Sequence, residues 1–140
     1  MSSLTIVEPA DECCHPGHRL PQRRYHNERD IQRSVIQHLA WRAHPDAFCF
    51  HVPLGGYRKP IEAAILKSIG TIAGVPDLIC ILYGRVYCLE IKTERGRVSD
   101  VQHVVHERLR RAGAEVVVAF NLNEVLAQLT AWGILVGRSQ

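Results

Sequence analysis

Apolar residues recur along the chain with two different periods, and the switches between them mark the elements. From Glu28 to Arg42 they fall at Ile31, Val35, Ile36, Leu39 and Ala40, the spacing of one helical face. "FCFHVP" (48–53) predicts a short strand, and "LGGYRKP" (54–60) a loop. "PIEAAILKSIG" predicts a short helix with Pro60 in its first turn and Gly70 just past its end. Leu78 to Leu82 is continuously apolar and Val86 to Ile91 nearly so, with Tyr83, Gly84 and Arg85 between them. That pattern predicts an antiparallel hairpin. Apolar residues on both of its faces require cover on both sides, hence a central place in a sheet.

Ser99 opens the next helix, and Gln102 three residues on completes a capping-box pattern. Val101, Val104, Val105, Leu109 and Ala112 are expected on its buried stripe, with Gly113 ending it. "AEVVVAF" (114–120) predicts a strand. Asn121 with Glu124 starts a last helix, with Val125, Leu126, Leu129 and Trp132 facing inward. The order is α, β, α, β, β, α, β, α. A helix between the strand at 86–92 and that at 114–120 allows the two to run parallel, so the expected fold is α/β, a mixed central sheet flanked by helices.

Composition changes this picture little. The 140 residues suggest one domain, long enough to bury a core without staples. Residues 1–24 lack periodicity and hold three of the seven prolines; they are expected to be a flexible N-terminal arm, and 25–140 the folded domain. No run reaches transmembrane length and the first residues do not resemble a signal peptide, so a cytoplasmic protein that does not act at a membrane is expected. The net charge is only +3, but arginines cluster at 19, 23, 24, 29 and 33 and again at 95, 97, 108, 110 and 111. Such clusters meet phosphates or form solvated helix faces. Five cysteines without secretory context are expected to be reduced, with Cys49, Cys80 and Cys88 as small buried apolar groups. Cys13, Cys14, His15 and His18 have a zinc-like composition, but their spacing fits no common finger.

The hairpin carries the chemistry. Glu90 and Lys92 alternate with Ile91, so they share one face of a strand. Asp77 begins the partner strand and falls beside them, because in a hairpin the start of one strand lies next to the end of the other. Two desolvated carboxylates repel. A hard divalent cation offsets that cost, since Mg²⁺ takes one or two carboxylates plus waters and phosphate oxygens. A lysine alongside can orient a water or steady charge on a phosphate. These are the parts of metal-assisted phosphodiester hydrolysis. An ion pair at a sheet end uses the same residues, and such spacings arise by chance. Three features add weight. Glu28 lies three, seven and eleven residues before Ile31, Val35 and Leu39, on the core-facing stripe, either near the metal or complementing the helix dipole. "GVPDL" gives Asp77 an abrupt entry into its strand. "ERGRVSDVQ" returns Gln102 towards the site, as a hydrogen-bonding neighbour or only as a cap.

With these residues assembled, the chain resembles the VRR-Nuc family of the PD-(D/E)xK nuclease superfamily. The matching segments are "NERDIQRSVIQHL", "HVPLGGYRKP", "LKSIGTIAGVPDLIC", "CLEIKTERGRVSDVQ" and "LRRAGAEVVVAF", spanning Glu28 to Trp132. The resemblance is to stand-alone bacterial or phage members. It implies a restriction endonuclease-like core, Mg²⁺ or Mn²⁺ dependence, no organic cofactor, and DNA as substrate. Asp77 and Glu90 would bind metal, with the Ile91 backbone carbonyl a further ligand. Lys92 would assist the attacking water, Glu28 would be an accessory acid, and Gln102 would support the site. It further implies a homodimer acting on branched DNA such as four-way (Holliday) junctions.

Arg58 and Lys59, on a glycine loop that lets backbone approach a duplex closely, are expected to contact phosphates, as are Arg95 and Arg97; a solvated turn is the other reading of the first pair. The sequence thus predicts an endodeoxyribonuclease. The competing readings are a non-catalytic DNA-binding module on the same fold and an adaptor that holds a partner through its N-terminal arm. The apolar run Trp132, Ile134, Leu135 and Val136 either pairs subunits or finishes the core.

Overall fold

A computed structural model describes residues 27–54 and 56–137. The expected arm, the Cys13/Cys14/His15/His18 group and the first three arginines of the N-terminal cluster lie outside the described residues. The elements are α1 (Glu28–Arg42), β1 (Phe48–His51), α2 (Pro60–Ser68), β2 (Leu78–Leu82), β3 (Arg85–Ile91), α3 (Asp100–Arg111), β4 (Glu115–Ala119) and α4 (Leu122–Ala131). The expected order holds throughout. Among the described residues no helix is long and apolar enough to cross a membrane.

The four strands form one sheet in the order β1-β2-β3-β4. β1 pairs β2 and β2 pairs β3 antiparallel, while β3 pairs β4 in parallel, as the α3 crossover requires. The hairpin β2–β3 occupies the centre. Its two-residue loop, Tyr83 and Gly84, has φ of +50° and +74°, the positive values a tight primed turn demands. Tyr83 is a poor fit to that conformation, and its hydroxyl is anchored to Asp46 Oδ2 at 3.2 Å.

Alternation along β2 and β3 sends Leu78, Cys80, Leu82, Tyr87, Leu89 and Ile91 to one layer. There they form a core with Ile31 and Val35 of α1, Val125 and Leu129 of α4, and Ile134 and Leu135. Ile134 and Leu135 are fully buried, and Val136 N–H donates to the Arg42 carbonyl at 2.9 Å. The C-terminal apolar run therefore finishes the core. Ile36 and Ala40, expected on the buried stripe of α1, are exposed; one side of α1 covers the sheet and they lie off it.

The opposite layer carries Asp77, Ile79, Ile81, Cys88, Glu90 and Lys92, and α3 covers it in part. The buried side of α3 is Val105 and His106, with Gln102 and Leu109 half-buried. Val101 and Val104, expected to be buried, are 55 % and 61 % exposed. The covering face is thus the set 102, 105, 106 and 109, a helical face displaced by one residue from the purely apolar one.

Candidate active site

The site lies where β2 begins and β3 ends. Asp77 sits one register step outside the pair Leu78–Leu89, so it faces Glu90 across the strands. Its Oδ2 accepts the Ile91 N–H at 2.8 Å. Its carbonyl accepts the Val52 N–H at 2.9 Å and lies 2.9 Å from His51 Nδ1. β1 and β3 therefore hold Asp77 from both sides. Gly74 sets the entry that precedes it. With φ at +84°, it lies against the first turn of α3, where an added Cβ would stand 3.0 Å from the Val101 carbonyl oxygen and 3.1 Å from Gln102 N. Only glycine combines that φ with that approach at low cost.

Glu90 is buried at 1 % exposure and Lys92 at 8 %. Lys92 Nζ is 2.9 Å from Glu90 Oε1 and 3.8 Å from Glu28 Oε1. Glu28, in the first turn of α1, is half exposed. It is neither an unpaired buried acid nor a dipole partner alone; it closes the ammonium from a second side. Gln102 settles two readings at once. Its Oε1 accepts the Ser99 N–H at 2.9 Å, completing the cap, while its Nε2 donates to Glu90 Oε1 at 2.6 Å. A single amide has both a donor and an acceptor end, so capping α3 and holding Glu90 do not compete.

His106 is the site residue that pattern reading passes over. It is 1 % exposed, and its Nε2 lies 3.5 Å from Glu90 Oε2. It stands one helical turn beyond Gln102, so α3 presents one side chain to each oxygen of the carboxylate. The i, i+4 spacing from Gln102 was the available signal. Its polar character hid it, because the apolar stripe draws the eye to Val104.

Burial, joined by the negative charge of Asp77 and only partly offset by Lys92, pushes the Glu90 carboxyl up to about 7. Burial works against the Lys92 ammonium, yet the bond and charge of Glu90 outweigh it and raise its pKa. Burial, with the nearby Arg110, His103 and Lys92, lowers that of His106, which favours the neutral ring.

Asp77 and Glu90 face each other, and burial with the charge of Asp77 favours the protonated form of Glu90. Glu90 Oε2 is buried without a hydrogen-bond partner. Among the described residues no group of three or more His, Cys, Asp and Glu converges as an all-protein cage. A hydrated hard ion such as Mg²⁺ needs only one or two carboxylates and keeps several waters, so Asp77 and Glu90 are the residues here that could hold one.

The expected phosphate-binding residues are less closely gathered. Arg58 turns back on its own loop, its Nη2 donating to the Pro53 carbonyl at 2.9 Å. Lys59 is exposed at the start of α2. Arg95 and Arg97 are exposed on the loop that follows Lys92. Gly96 between them packs on the Lys92 side chain, a Cβ there lying 3.1 Å from Lys92 Cβ. Elsewhere in the arginine clusters, Arg33 and Arg111 form local helix-surface pairs with Asp30 and Glu107, and Arg110 donates to the Val116 carbonyl.

Known proteins of solved structure share this fold. No family model and no curated protein matches the chain. Solved structures do. One, described as "VRR_NUC domain protein", is 25 % identical with a TM-score of 0.57, over 74 % of this chain and 84 % of its own. Another, described as "VRR_NUC domain", is 24 % identical with a TM-score of 0.51, over 74 % and 94 %. The second likeness is one of fold. The four helices and four-stranded mixed sheet are those of a VRR-Nuc nuclease-like fold. The chain is thus similar to VRR-Nuc domain proteins of known structure.

Proposed function

We infer that the chain is a divalent-metal-dependent endodeoxyribonuclease that hydrolyses phosphodiester bonds. The observation that carries this reading is the meeting of Asp77, Glu90 and Lys92 on one sheet layer, at the open end of one hairpin. Asp77 and Glu90, with the Ile91 carbonyl, would hold Mg²⁺ or Mn²⁺. When bound, the ion supplies positive charge to the phosphate oxygens and lowers the cost of deprotonating water.

The chain's own groups do the rest. Lys92, fixed by Glu90 and flanked by Glu28, stands where an ammonium can orient the attacking water and steady the charge that builds on the phosphate. Gln102 fixes the plane of the Glu90 carboxylate, and the backbone N–H of Ile91 fixes Asp77. Arg58, Lys59, Arg95 and Arg97 would supply positive charge that attracts a phosphate backbone. The products would carry a 5′-phosphate and a 3′-hydroxyl.

The finer reading is of a homodimer acting on branched DNA, four-way junctions in particular. A two-fold dimer presents two sites to a two-fold substrate and can nick it in pairs. The experiment is cleavage of four-way, flap, nicked and linear DNA with Mg²⁺ and with chelator, beside the Asp77→Asn variant. Asparagine keeps an acceptor for the Ile91 N–H but loses the charge. Cleavage that needs Mg²⁺ and falls at least a hundredfold in the variant, with folding retained, is expected. Binding without cleavage would identify a non-catalytic DNA-binding module, and unchanged cutting by Asp77→Asn would reject the site.

A further inference from the structure

We propose that Cys49 and Cys80 form an oxidation site, a cross-strand thiol pair that small hydroperoxides convert into an intramolecular disulfide. The site is distinct from the carboxylate centre and lies in the other sheet layer.

The register makes the pair. Cys49 lies directly opposite Cys80 between β1 and β2. Val52 N–H bonds to the Asp77 carbonyl, so the position 52/77 is a hydrogen-bonded one. Antiparallel positions alternate. Three steps along, 49/80 is therefore a non-hydrogen-bonded position, where facing Cα atoms are about 4.5 Å apart. That separation falls within the range of roughly 4.4–6.8 Å that a disulfide accepts. Side chains at such positions point into the same layer. Cys88 is excluded as partner: Cys80 faces Tyr87 on β3, and Cys88, one residue on, points to the opposite layer.

The two sulfurs differ in a way that assigns their roles. Cys49 is half-buried on an edge strand, while Cys80 is buried. The neighbouring Cys80 thiol lowers the Cys49 pKa, against the effect of burial. The neighbouring thiols Cys49 and Cys88, together with burial, raise that of Cys80 strongly. Cys49 is therefore the sulfur that meets the oxidant as thiolate. Its lone pair attacks one oxygen of the hydroperoxide, the O–O bond breaks, and a sulfenic acid forms as water leaves (for hydrogen peroxide). The Cys80 sulfur then gives up its proton and attacks the Cys49 sulfur. The S–S bond forms, the S–OH bond breaks, and a second water leaves. Two thiols and one peroxide become one disulfide and two waters, with two electrons passing from sulfur to oxygen. The bond would tie the edge strand to β2 three residues from Asp77.

The test is peptide mapping of the full reduced chain after dilute hydrogen peroxide, under non-reducing conditions. A Cys49–Cys80 cross-link, lost on adding dithiothreitol, is expected to be the main product. In Cys80→Ala, Cys49 should be trapped as sulfenic acid by a dimedone-type reagent. In Cys49→Ala, Cys80 should stay reduced. Sulfinic acid at Cys49 without the cross-link would overturn the proposal. So would a disulfide drawn instead through Cys13, Cys14 or Cys88, or full resistance of the wild-type thiols to peroxide.

Discussion

Gln102 shows how one residue can serve both the fold and the site. Its amide oxygen caps α3 and its amide nitrogen holds Glu90. Replacing it with glutamate separates the two. Gln102→Glu preserves the capping box, since glutamate suits that position as well as glutamine, but sets a carboxylate against the buried Glu90. The helical signal of the variant should match wild type, while cleavage falls at least tenfold; equal cleavage would show that the contact with Glu90 is idle. Glu90 itself leaves a pH signature in the metal-free protein. Its folded pKa of about 7 lies above the ordinary 4.5, so the native state holds the proton more tightly than the unfolded one. The stability this contributes is complete below about pH 4.5 and is lost as pH rises through about 7. Urea midpoints of chelator-treated protein should decline between pH 5 and 8, and Glu90→Gln should flatten that decline. A slope identical in the variant would assign it to another group.

Among the elements, the contact between the Gly74 turn and the start of α3 governs the geometry. The turn delivers Asp77 and the helix delivers Gln102, and the two lie so close that a Cβ on Gly74 would stand 3.0 Å from the Val101 carbonyl oxygen. Gly74→Ala forces a side chain into a positive φ and against a carbonyl oxygen. A loss of about 1–3 kcal/mol is expected by denaturant unfolding, with cleavage reduced as well because Asp77 and Gln102 are displaced together. Gly96→Ala offers a comparison, since it crowds the Lys92 side chain and the Thr93 carbonyl oxygen. α2 stands apart from this assembly. None of its residues is buried, and Ile61, Ile65 and Ile69 are 56–73 % exposed, so its sequence pattern predicted a helix but not what it packs against.

For the molecule as a whole, cation binding and stability are linked. An ion that binds the folded chain and not the unfolded one stabilises it by about 2.7 kcal/mol at a hundredfold excess over its dissociation constant. Mg²⁺ or Mn²⁺ should therefore raise the thermal midpoint by several degrees, and Asp77→Asn should abolish the rise. A shift retained in the variant would place the ion elsewhere.

Much of this was legible in the residues. Helical stripes, continuous apolar runs and Pro, Gly and cap signals marked all eight elements, and the tight Tyr83–Gly84 loop marked the hairpin. Once the hairpin is known, strand alternation alone brings Asp77, Glu90 and Lys92 to one layer, because those relations are local. Three matters needed the tertiary structure. Which face of α3 is buried depends on the polar Gln102 and His106 turning towards Glu90, and a hydrophobicity pattern does not register buried polar partners. Whether Ile134 and Leu135 finish the core or meet a partner depends on α1 and α4 converging on them from distant parts of the chain. The pairing of Cys49 with Cys80 depends on a strand register between segments some thirty residues apart, which local sequence does not encode.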